Sequence, residues 1–161
     1  MQTNQPSLGK ITLVYSGYFL AIAILTNVAL WALERFGGVV IEANAVGWMP
    51  LILGAMFAGQ HYGKAVGAKP AQSYAWMAGL LFMLVSVVLS VALMYGAALI
   101  AGLDMGVTLS QLQAQMGDDA GLIAGIIGAV LLLIWVLQRF MFSTGAAGAV
   151  KQAARLAAKG K

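Results

Sequence analysis

Four stretches of this chain, residues 11–33, 43–62, 74–102 and 121–137, contain no Asp, Glu, Lys or Arg. A helix rises about 1.5 Å per residue, so roughly 20 apolar residues cross a hydrocarbon core of about 30 Å. Each stretch therefore reads as a membrane span. Composition agrees, because 61% of the residues are hydrophobic and only 9% charged, against about a quarter charged in an ordinary soluble domain. The reading is a single all-α membrane domain over residues 1–161, a four-transmembrane-helix bundle followed by a basic tail from 139 to 161.

Each window has its own punctuation. The first, Ile11 to Leu33, lies between Lys10 and Glu34, with Tyr15 and Tyr18 near one end and Trp31 near the other, as aromatic residues at the two interfaces require. It is too long for the apolar region of a secretory signal and lacks a small-residue cleavage site, so it is expected to stay attached. The second, Ala43 to Tyr62, contains Pro50. This predicts a kink unless the helix begins near Gly47 and places the proline in its first turn. The third, Tyr74 to Gly102, is the longest and can span with tilt. The fourth, Gly121 to Leu137, follows Asp118 and Asp119, which suit a helix N-terminus, and stops at Arg139.

Four crossings sort the charges. One side holds Lys10, Lys64, Lys69, Arg139, Lys151, Arg155, Lys159 and Lys161; the other has Arg35 and all five carboxylates, Glu34, Glu42, Asp104, Asp118 and Asp119. Cytoplasmic connections retain Lys and Arg, so both termini are expected in the cytoplasm of a bacterial inner-membrane, multi-pass protein. The net charge of +4 then reads as an orientation signal and not as a nucleic-acid footprint. Between 103 and 120, Thr108 and Gln111 form a candidate capping box for a short surface helix. In the tail, Lys151, Arg155 and Lys159 recur every four residues and share a helical stripe suited to lipid headgroups.

Small residues recur every four positions at Ala55, Gly59, Gly63 and Gly67, and again at Gly117, Gly121, Gly125 and Ala129. Such ladders let helix backbones approach where lipid removes the hydrophobic driving force between helices. Gly59, Gly63, Gly121 and Gly125 are therefore the helix-packing candidates. The reading inside the bundle is favoured over a homo-oligomer or a larger membrane complex.

The inventory for chemistry is sparse. With no cysteine and one histidine, the chain cannot assemble an iron–sulfur cluster, a zinc site or a disulfide framework, and no cofactor is expected. No window holds an acid or base in its middle, where transport and proton paths place them. The four helices of a small multidrug exporter carry a working acid in the first helix that has no counterpart here. Asn27, Ser86 and Ser90 are the intramembrane polar candidates, and an interhelical or local hydrogen bond explains them more simply than a substrate site. His61 reads as an interfacial hydrogen-bonded residue. The methionines are too scattered for a copper site and read as lipid-facing or gap-filling.

A resemblance enters at the second connection. Ala58-Gly59-Gln60-His61-Tyr62, then Gly67-Ala68-Lys69-Pro70 before the third span, together with Arg139-Phe140 and the Ala-rich basic tail, resembles a family of small four-transmembrane-helix bacterial inner-membrane proteins. The family pattern has a basic residue where His61 stands. The resemblance implies a fold and a location but supplies no activity. The functional expectation is a non-catalytic accessory or structural subunit acting through helix–helix and lipid contacts. The alternative is a small transporter, pore or holin-like component assembled from several copies, and an enzyme is not expected.

Overall fold

The computed structural model describes residues 5–38, 46–102 and 120–159, and these form four helices and no strand. They are α1 (Leu8–Gly37), α2 (Met49–Val66), α3 (Gln72–Ile100) and α4 (Ala120–Lys159). Three of them, α1, α3 and α4, are long and apolar enough to cross a membrane. α2 has 18 residues and carries Gln60, His61 and Lys64 toward its end. Ala43 and the expected capping box at Thr108 and Gln111 lie outside the described residues, as do Glu42, Asp104, Asp118, Asp119 and Gly117.

Local chemistry sets the helix ends. Ser7 caps α1 by accepting from the Lys10 amide at 3.3 Å, so the helix starts one turn before the charge-free window. Gly38 ends it in the left-handed conformation (φ +61°), its N–H donating to the Leu33 carbonyl. Gly67 ends α2 in the same way, at φ +69°, with its N–H on the Gly63 carbonyl at 2.9 Å. Pro50 lies in the first turn of α2, where its missing N–H has no intrahelical acceptor to lose. Within the helices, Thr12, Ser16, Asn27 and Ser86 donate to the carbonyls of Leu8, Thr12, Ala23 and Met83 at 2.8–2.9 Å. The three hydroxyls thereby satisfy their donors without needing water, and Asn27 satisfies one of its two N–H groups.

The core draws on all four helices. Tyr15 of α1 stacks on Phe82 of α3, with ring centroids 4.3 Å apart and planes 8° from parallel. Phe142 of α4 meets Phe82 edge-on at 5.5 Å and Tyr62 of α2 at 5.6 Å. Gly54 makes room for these rings, since a Cβ there would stand 3.2 Å from Tyr15 Cε2.

The most extensive helix pair is α2 with α4, and its geometry is reciprocal. A Cβ on Gly59 would collide with the carbonyl oxygen of Phe142, and one on Gly145 with the carbonyl oxygen of Met56. Each glycine thus faces the carbonyl three residues before the other glycine. One turn further, a Cβ on Gly63 would stand 2.6 Å from the Ala146 carbonyl oxygen and 3.0 Å from Ala149 Cβ. Backbones this close gain dispersion and weak Cα–H···O contacts that no larger residue permits.

Two expectations need correction here. A Cβ on Gly121 or Gly125 would meet nothing within 4 Å; both are exposed, and the glycine of α4 that packs is Gly145. The segment from 139 to 159 is also not a tail set apart from the bundle. α4 continues through it, and Phe142, Gly145, Ala146 and Ala149 are buried. The reason is that Arg139, which closes the apolar window in the sequence, lies against Trp76 and does not mark the end of the packed helix.

The seam predicts unequal tolerance of bulk. Gly145→Leu should lower stability in detergent by about 1–3 kcal/mol or more, as overpacking does. Gly125→Leu should stay within about 0.5 kcal/mol, as at other exposed positions. Thermal unfolding of both variants checks this, and equal losses would contradict the seam.

Candidate functional site

Beside the aromatic core lies a small polar node. Gln138 of α4 is fully buried, and its Nε2 donates to the Tyr15 hydroxyl oxygen at 2.9 Å. The Ser86 hydroxyl, also buried, donates to the Met83 carbonyl. Among the described residues, three buried side-chain polar atoms have no hydrogen-bond partner: Gln138 Oε1, Tyr62 Oη and Arg139 Nε. A buried amide bonded at one end only is costly, so the Tyr15 contact sets how α1 sits against α4.

A second cluster joins α3 to α4. The Arg139 guanidinium lies over the Trp76 ring, 4.4 Å from its centroid, and Trp135 meets Trp76 edge-on at 5.2 Å. Trp135 Nε1 also donates to the Trp76 carbonyl at 3.1 Å. Gly79 permits this approach, because a Cβ there would stand 2.9 Å from Arg139 Cβ. The charge is thereby held on an aromatic face, an interaction that strengthens as water is removed.

The candidates taken from the sequence fall into different places. Gly59 and Gly63 lie in the α2–α4 seam. Asn27 is exposed, with its amide turned onto its own helix, and Ser90 is exposed on α3. The two meet, together with Thr26, in a cleft of about 250 Å³. Ser86 is buried by the Tyr15 node and does not line that cleft. A larger cleft of about 610 Å³ lies between α1 and α3; its lining, which includes Ala23, Asn27, Leu93 and Ile100, is apolar apart from Asn27. Lys151, Arg155 and Lys159 are exposed, as is His61.

Sequence reasoning missed Gln138, Trp135, Gly145 and Ala146. A usable signal was present, since Gln138, Phe142, Gly145, Ala146 and Ala149 recur at the three- and four-residue spacing of one helix face. Among the described residues, no group of three His, Cys, Asp or Glu side chains could hold a metal. The node offers hydrogen bonding and packing. Among the described residues, neither cleft has an acid or base in its lining. Compared with known proteins, the chain matches no family model, no curated protein and no solved structure.

The node makes a paired prediction. Tyr15→Phe leaves the Gln138 amide without its partner and should cost about 1–3 kcal/mol. Adding Gln138→Leu should recover most of that loss, because both polar groups are then gone. Denaturant unfolding in micelles measures the cycle, and additive losses would show that the bond does not couple the two helices.

Proposed function

We propose that this chain is a non-catalytic membrane protein that serves as an accessory or structural subunit through helix–helix and lipid contacts. It crosses a bacterial inner membrane four times and keeps both termini in the cytoplasm. The observation that carries the reading is the uneven distribution of packing. Burial concentrates around Tyr15, Phe82, Phe142 and the α2–α4 seam. The other ends of α1 and α3 and the first half of α4 expose large apolar side chains, among them Leu25 (68%), Ile100 (91%) and Leu122 (68%). Surface of that kind needs lipid tails or another apolar helix against it.

Orientation rests on the sequence. An even number of crossings gathers every basic residue except Arg35 on one side, opposite the carboxylates. The resemblance at Gly59-Gln60 and Gly67-x-Lys69-Pro70 supports a bacterial inner membrane.

A second reading, a small transporter or pore component assembled from several copies, is favoured by one observation: Thr26, Asn27 and Ser90 line one cleft.

Native purification in mild detergent followed by mass spectrometry tests the proposal. Co-purification with a distinct membrane subunit is expected. A homo-oligomer of fixed size that conducts ions in bilayers would favour the pore reading instead. For topology, a reporter fused after Lys161 should be active only on the cytoplasmic side, and periplasmic activity would overturn the orientation.

A further inference from the structure

The ends of all four helices bring positive charge to one end of the bundle. The Tyr74 hydroxyl donates to the Pro6 carbonyl at 2.9 Å, tying the start of α3 to the start of α1. The Tyr62 and Tyr74 rings, 5.2 Å apart, tie the end of α2 to the same place, and the Gly63–Ala149 contact adds α4. Lys10 lies four residues past Pro6, Lys64 follows Gly63, Lys69 lies in the connection between α2 and α3, and Lys151 comes two residues after Ala149. Arg155 and Lys159 continue α4 outward, and all six side chains are exposed. The last three lie within an arc of about 80° and along about 12 Å of helix. Among the described residues the one carboxylate, Glu34, is in the last turns of α1 at its opposite end.

Next to the cations the surface turns apolar. Leu13, three residues past Lys10 on α1, is 74% exposed, and Met77, one turn past Tyr74 on α3, is 51% exposed. A cation above an exposed aliphatic side chain matches a phosphate above an acyl chain. An acidic protein surface would match the charges and leave Leu13 and Met77 uncovered. Helical continuity matters as well: α4 enters its basic stripe directly from the packed turn at Gly145–Ala149, so the stripe begins at the same end of the bundle as the three lysines of the other elements.

We propose that this end of the bundle is a composite binding rim for anionic phospholipid headgroups, formed by Lys10, Lys64 and Lys69 together with Lys151, Arg155 and Lys159. The proposal rests on the reading that the chain spans a membrane and names the lipid class that reading leaves open. Anionic lipid near a basic juxtamembrane segment gains attraction with each cation, and salt screens it over about 8 Å at physiological ionic strength.

The test uses the full chain in nanodiscs of equal phosphatidylglycerol and phosphatidylcholine, with native mass spectrometry of the lipids retained. The wild type should retain phosphatidylglycerol at least tenfold over phosphatidylcholine, with the preference shrinking in 0.5 M salt. K10A/K64A/K69A and K151A/R155A/K159A should each lower that preference several-fold, while Arg35→Ala leaves it unchanged. Equal retention of the two lipids by the wild type would overturn the proposal, as would a preference lost only in the second triple variant, which would make α4 alone the binding element. Elution of an acidic protein by salt, with no lipid preference, would replace the lipid by a protein partner. A chain that remains soluble without detergent would instead refute the membrane reading itself, and that outcome is distinct from the others.

Discussion

The close approach of α2 and α4 at Gly59 and Gly145 is the constraint on which the rest of the bundle depends. Two helix backbones come near enough for each glycine to rest on a carbonyl of the other helix, and that distance sets where every neighbouring ring can sit. Phe142 lies three residues before Gly145, so the seam delivers its side chain to Phe82 and Tyr62. Gln138, one turn earlier, reaches Tyr15. In a lipid-solvated protein the gain comes from contact and not from the expulsion of water. A single added methyl at the seam is therefore felt by the aromatic core and the polar node together.

The node and the tryptophan cluster deal with polar groups in different ways. Gln138 is paired through one atom and left open at the other, which makes its environment specific about geometry at some expense in stability. Arg139, its neighbour in sequence, uses the face of Trp76. Adjacent residues on a helix point about 100° apart, so one polar pair reaches two neighbours: Gln138 faces α1 and Arg139 faces α3.

Much of the secondary structure was legible because it follows from local rules. Charge-free runs give helices, and Pro50 suits a first turn; Gly67, which the spacing offers as one rung of a packing ladder, instead ends α2 in the left-handed conformation, beyond the Tyr62 limit of the charge-free window. The second half of α4 was hidden by a rule that usually works, namely that an arginine closes a membrane span. Trp76 defeats it by covering the guanidinium, and that partner lies 63 positions away in the chain. Tyr15 and Gln138 illustrate the same limit, since a hydrogen bond across 123 positions leaves no trace in local periodicity. The choice of glycines had a related cause. Gly121 and Gly125 have the right spacing for a seam, but spacing cannot say whether another helix comes near, whereas Gly145 with Ala146 and Ala149 carries a small-residue face on which α2 does lie.

The Trp76–Trp135 contact also gives the molecule an optical property. Two of its four tryptophans are held with ring centroids 5.2 Å apart and planes inclined by 66°, close enough for their transitions to couple. Trp31 and Trp48 lie elsewhere, on α1 and just before α2. The near-ultraviolet circular dichroism of the intact chain thus carries a contribution from this interhelical junction. Separation of α3 from α4 would be visible in the spectrum of the unlabelled protein.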